Sequence, residues 1–135
     1  MDMKINTKIR YGLRMLLLLA ERNSVINTSE LGEKMLVSPK YLRKLAGPLE
    51  KHSLIKSVQG IYGGYKLNNK PENITVSSVF NAFDETMNIS GCIAEADCQL
   101  NQNCDARYLW KHIEKIVQKE FRKINIRDIL DGKFD

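Results

Sequence analysis

Apolar residues return at helical spacing from near the start of the chain. Ile9, Leu13, Leu16, Leu17 and Ala20 keep the i, i+4, i+7, i+8 rhythm of a buried helix face, and Met15, Leu18 and Leu19 widen it. So broad a stripe predicts burial on more than one side. A short helix carrying Leu31 and Met35 follows, with Asn27 or Thr28 placed to accept from a free N–H of its first turn and Glu30 suited to its positive end. It stops near Leu36 and Val37. Ser38 and Pro39 restart the pattern, serine as N-cap and proline at the first helical position, where its missing N–H costs nothing. Tyr41, Leu42, Leu45 and Leu49 supply the inward face of this third helix. Pro48 disfavours a helical Gly47, which predicts a kink or a split there.

The rhythm then changes. Leu54 to Val58 and Tyr65 to Leu67 read as short strands flanking Gly60-Ile61-Tyr62-Gly63-Gly64, and glycines permit the positive φ and close backbone approach of a hairpin tip. Short helix, turn, second helix and hairpin make a winged helix-turn-helix. Thr75 caps a further helix with Val76, Val79, Phe80 and Phe83 on its apolar side, and Met87 to Cys104 has no sustained periodicity. Asp105 opens a long helix with Leu109, Ile113, Ile116, Val117, Phe121 and Ile124 on one side; running to Lys123 it would be about 28 Å long. Such a stripe needs a partner surface, and packing against a second copy of the chain is the expected solution, a fold back onto its own domain the alternative. Ile126 to Leu130 reads as a last short helix. The expected fold class is mainly α with a small β-hairpin wing, divided into a winged helix-turn-helix over 1–85, a cysteine-containing loop over 86–104, and a dimerisation helix with a short terminal helix over 105–135.

Charge adds a direction to this scaffold. The 135 residues carry a net charge of +5 with 43% hydrophobic residues, ordinary globular composition. Residues 1–70 hold 13 Lys and Arg against 5 Asp and Glu, whereas residues 71–135 hold 8 against 11, so the helix-turn-helix half is the one expected to meet a polyanion. The longest apolar run, Met15 to Ala20, falls far below the roughly 18 residues of a membrane span. A cytoplasmic protein without a membrane partner is the expectation.

Lys40, Arg43 and Lys44 stand at i, i+3 and i+4 of the third helix and share its outward face. In a helix-turn-helix this element enters the major groove of double-stranded DNA, leading with its N-terminal residues. Ser38 and Lys40 are therefore the expected early contacts, Arg43 is shaped to grip a guanine edge through two hydrogen bonds, and Lys44 and Lys56 suit phosphates. Gln59, Tyr62 and Tyr65 are the candidate wing contacts, though a core role is expected for Tyr65. The second chemical cluster is Cys92-x5-Cys98-x5-Cys104, which holds all three cysteines. An odd number cannot pair fully, and soft thiolates near one another suit zinc or an iron-sulfur cluster; a metal-free thiol switch is a further reading. The CxxC knuckle of common zinc sites is missing. No histidine or carboxylate forms a recognisable motif with a cysteine nucleophile, and neither His52 nor His112 has triad context, so no enzyme is expected.

Ser38-Pro39-Lys40-Tyr41-Leu42, then Leu54 to Gly60 followed by Gly63-Gly64-Tyr65, the cysteine trio, and Leu109-Trp110 together resemble the IscR/NsrR-type iron-sulfur winged helix-turn-helix transcription regulators over nearly the whole chain. The resemblance implies a homodimer whose long C-terminal helices cross at the interface, with a [2Fe-2S] or [4Fe-4S] cluster held by Cys92, Cys98 and Cys104. It implies a repressor whose operator affinity follows iron-sulfur status, nitric oxide or redox stress. Two positions depart from the family. Arg107 stands where IscR-like members place a histidine after the last cysteine, and Lys8 and Arg10 stand where some NsrR-like members place an acidic ligand. The fourth ligand is left open, with His112 two helical turns past Cys104 as a candidate and Glu95, Asp97 and Asp105 nearer.

Overall fold

A computed structural model of the chain describes residues 5–85 and 104–135. Helix α1 (Thr7–Arg22) starts where the Asn6 side chain accepts the Lys8 N–H, and later helices and the second strand of the hairpin pack around it. Ile9, Gly12, Met15, Leu16, Leu19 and Ala20 are buried, whereas Leu13 and Leu17 are only partly so. The buried stripe is thus rotated from the one the leucines alone suggest. Gly12 explains the rotation: a Cβ there would lie 2.6 Å from the Phe83 ring, so the ring rests directly on the helix backbone.

Helix α2 (Thr28–Met35) is capped by Asn27, whose side chain accepts the Glu30 N–H at 2.7 Å, and it ends at Leu36 in the left-handed region, with φ of 56°. Helix α3 (Pro39–Lys51) begins with the Ser38 Oγ accepting the Tyr41 N–H at 3.1 Å. Of the expected kink or split, the split does not occur: α3 runs through Pro48 as one helix. The position is tolerant. Gly47 has no Cβ to meet the proline ring, and the missing N–H removes one helical hydrogen bond close to the C-terminal end.

Strands β1 (Ile55–Val58) and β2 (Gly64–Leu67) pair antiparallel, Ile55 opposite Leu67 and Lys56 opposite Lys66. A third piece of backbone joins them: Ile26 and Tyr65 exchange both N–H···O bonds at 3.0 Å. This pairing requires Gly64, whose φ is 151° and whose hypothetical Cβ would sit 2.1 Å from the Ile26 carbonyl oxygen.

A 3-10 turn (Pro71–Asn73) leads to α4 (Val76–Ala82), capped by Thr75 through the Ser78 N–H. Helices α5 (Asp105–Lys123) and α6 (Ile126–Leu130) follow, the latter with a reciprocal capping box between Asn125 and Asp128. The apolar stripe of α5 is divided in use. Its C-terminal end returns to the winged domain: Phe121 stacks on Phe80 with centroids 5.0 Å apart, and Ile126 is fully buried in the common core with Leu16, Leu42, Ile55 and Val79. The Val76 N–H donates to Ile124 and the Ile126 N–H to Ile74, both at 2.9 Å, so the junction after α5 is stitched to the segment that enters α4. Leu109 and Ile116, farther up the helix, stay about half exposed. Among the described residues no helix is long and apolar enough to cross a membrane.

Candidate nucleic-acid interface

The alternation of apolar and polar residues along α3 sets the site. Leu42, Leu45, Ala46 and Leu49 turn into the core, which forces Lys40, Arg43 and Lys44 onto the opposite face, and all three are exposed. Ser38 lies at the leading end of that face. Its Oγ already accepts the capping bond from Tyr41, which leaves its hydroxyl proton and one lone pair to offer. Tyr41 is part of the support: its ring meets Tyr11 edge to face at 5.9 Å, and the Arg14 guanidinium lies 5.3 Å from the Tyr11 centroid. The α2–α3 turn holds Leu36 exposed beside this surface.

The wing tip is a tight turn closed by the Gly63 N–H on the Gly60 oxygen at 3.0 Å. A Cβ on Gly63 would lie 2.1 Å from the Val58 carbonyl oxygen, and Gly60 has φ of 107°, so both glycines are dictated by the turn. Ile61 and Tyr62 occupy its two central positions and are 95% and 93% exposed, with Gln59 exposed just before them. Ile61 is the functional candidate that the sequence pattern passes over. The available signal is its place: an isoleucine between two glycines at a turn centre has no core to enter.

Tyr65 takes the core role expected of it, pairing with Ile26 and packing against the buried cluster. Burial first, and then the charge of Glu50, push its phenol above the ordinary value, with Arg43 opposing. Lys56 is placed differently from the other basic candidates. Ser57, its neighbour, points toward α3, where its hydroxyl donates to Glu50 at 2.9 Å. Lys56 and its partner Lys66 therefore lie on the other face of the hairpin, away from Arg43 and Lys44.

Of the cysteines, Cys92 and Cys98 lie outside the described residues, as do Glu95 and Asp97. Cys104 is a free, half-buried thiol at the N-cap of α5 and makes no capping hydrogen bond. The positive end of a helix is a favourable setting for a thiolate or an anionic group bound to it. His112 is exposed on the same helix, eight residues on, which sets it about 12 Å along the axis from Cys104. Asp105 is exposed beside Cys104, and Arg107 lies half-buried in the first turn of α5. Among the described residues, therefore, neither His112 nor a carboxylate cluster is joined to Cys104, and no group of three His, Cys, Asp or Glu side chains is arranged to hold a metal.

Comparison with known proteins gives a consistent answer. The Rrf2 pattern, described as an iron-dependent transcriptional regulator, matches residues 5–132. The chain is 32% identical over 131 residues to the protein rrf2 of Nitratidesulfovibrio vulgaris, a match covering 95% of this chain and 87% of that one. Its fold is similar to that of CymR, the global cysteine regulator of B. subtilis, with a TM-score of 0.77, 27% identity, and coverage of 95% and 96%. It is likewise similar to IscR of T. potens, with a TM-score of 0.73, 25% identity, and coverage of 96% and 88%.

Proposed function

Because the chain belongs to the Rrf2 family of transcriptional regulators, we propose that it is a cytoplasmic homodimeric repressor that reads operator DNA with α3 and the wing tip, under the control of an iron-sulfur cluster. It is a DNA-binding regulator rather than an enzyme, as its family and relatives are. The observation that carries the residue assignment is the shared exposed face of Lys40, Arg43 and Lys44 beside an equally exposed wing tip. Arg43 supplies the planar fork for a base edge; Ser38 and Lys40 lead into the groove; Lys44 anchors a phosphate; Gln59 and Tyr62 meet the neighbouring backbone or minor groove. The half-exposed Leu109 and Ile116 are the dimer surface, since an apolar row on a 19-residue helix is costly to leave in water.

Cys92, Cys98 and Cys104 are the residues that would hold a [2Fe-2S] or [4Fe-4S] cluster. The described part of this donor set fits: Cys104 is unpaired and stands at a helix start that favours negative charge. Such a cluster would supply one-electron redox chemistry at a potential set by its surroundings. The protein's part is transmission. Cys104 opens α5, α5 is fixed at its far end to α4 by Phe121 and Ile124, and α4 touches both α1 and α3. A change at Cys104 thereby biases the spacing of the two recognition helices in the dimer, provided the cluster interacts differently with the two arrangements.

A second reading has its own support. The fold also matches CymR, the global cysteine regulator of B. subtilis, at 27% identity, which favours a regulator of the same fold governed by a thiol or a protein partner without metal. Anaerobic purification with iron and sulfide analysis separates the two. The cluster reading predicts stoichiometric iron and acid-labile sulfide with visible absorption, all lost in Cys104→Ser. Colourless protein with intact thiols after attempted reconstitution would select the metal-free reading.

A further inference from the structure

The hairpin face opposite α3 forms one wall of an open cleft of about 720 Å³, closed on its other sides by the α1–α2 turn and the segment after β2. Lys56, Lys66 and Lys70 line it together with Asn23, Asn68 and Asn73, and among the described residues no aspartate or glutamate lines it. Lys56 and Lys66 are directly opposed across the strands, an arrangement that destabilises a hairpin unless something offsets the repulsion. Among the described residues no carboxylate does so. None of the three lysines has a carboxylate oxygen within 4.0 Å among the described residues, and Glu72, which feels Lys70 at longer range, is held by Arg127 at 3.0 Å. The C-terminus of α1, which reaches the cleft at Asn23, contributes about half a negative charge, against three positive ones. The excess of about +2.5, with asparagines among the lining residues, suits a phosphate dianion.

The geometry points to a phosphate-binding site in this cleft, separate from the α3 face and the wing tip. The phosphate is either a backbone group of the bound duplex or part of a small phosphorylated ligand. Only the first source rests on the DNA-binding reading above.

The test compares the full-length protein with Lys66→Gln/Lys70→Gln and with the charge-preserving Lys66→Arg. Thermal melts are run with inorganic phosphate against chloride at equal ionic strength, and affinity for a non-specific duplex is measured against salt in phosphate-free buffer. A small-ligand site predicts that phosphate at tenfold its dissociation constant raises Tm by roughly 3 to 5 °C in wild type and Lys66→Arg but not in the double variant, with an unchanged salt slope. A duplex-backbone site predicts a salt slope lower by about 1 for each backbone phosphate that the double variant no longer neutralises, and an undiminished slope in Lys66→Arg. Because removing lysines relieves repulsion, the double variant should melt in chloride no lower than wild type. Equal phosphate response and equal slopes across all three proteins overturn the site. If the wild type binds no duplex, the DNA-binding reading fails, and the phosphate melts still decide the cleft.

Discussion

Replacing Gly64 with alanine isolates what holds the wing to the domain. The added Cβ would lie 2.1 Å from the Ile26 oxygen, 2.6 Å from the Asn27 Cα and 2.7 Å from the Ile26 carbonyl carbon, all backbone atoms that cannot rotate away. The strand must move, and it carries the two Ile26–Tyr65 hydrogen bonds, each 3.0 Å long. Losing both costs about 1 kcal/mol each, and holding an L-residue at φ of 151° adds about 1 to 2 kcal/mol, for a total of about 3 to 4 kcal/mol. Gly60→Ala is the internal control. Its φ of 107° carries the conformational strain, but no atom lies within 4 Å of the new Cβ, so only about 1 to 2 kcal/mol is expected. Urea unfolding gives both values, and native-state amide exchange should show protection at Ile26 and Tyr65 reduced in Gly64→Ala but not in Gly60→Ala. Equal destabilisation by the two substitutions, or unchanged protection at Ile26, would refute the reasoning.

Three further outcomes are expected. Arg43→Ala should relax discrimination among operator variants by about 1 to 3 kcal/mol, whereas Lys44→Ala should weaken all sequences alike and flatten the salt dependence; equal effects on every sequence would contradict the division of roles. Ile126→Ala removes a fully buried side chain at the end of the chain and should cost about 2 to 5 kcal/mol in urea unfolding; a value near zero would detach α6 from the winged domain's core. Glu30 is held below the usual carboxylate range by its bond to Arg22, Glu72 by Arg127 and Asp128 by Lys133. With folded values below unfolded ones, their stabilisation is present at neutral pH and is lost as pH falls through the folded values, an ordering that carboxyl NMR titration checks against Arg22→Ala, in which Glu30 should return toward its ordinary value.

Local chemistry was the legible part of this chain. Ser38-Pro39 marks the start of α3, Thr75 the start of α4, and the Asp105–Lys123 and Ile126–Leu130 helices fall where the apolar spacing predicts them, because caps and helical periodicity are written in adjacent residues. The outward grouping of Lys40, Arg43 and Lys44 follows from the same periodicity. What the spacing could not convey were contacts between distant segments. Ile26 bridges to the hairpin from 39 residues away in sequence, and Gly12 receives the Phe83 ring; neither residue announces a partner. Pro48 does not split α3 for a related reason, since its cost depends on Gly47 before it and on how near the helix end lies. Lys56 illustrates the limit for the site: its charge suits a phosphate, but only the register opposite Lys66 shows which face of the hairpin it occupies.

Selection of duplexes from a random pool shows whether operator reading by α3 depends on the state of the three-cysteine site, as proposed. Anaerobically purified protein, the same protein stripped of iron, and Arg43→Ala would be compared at one salt concentration. The account predicts enrichment of two-fold symmetric half-sites centred about one helical turn, or a multiple of it, apart, at least tenfold different between the iron-loaded and stripped forms and blurred in Arg43→Ala. Identical enrichment by the loaded and stripped forms, or no enriched sequence in any of them, would contradict it.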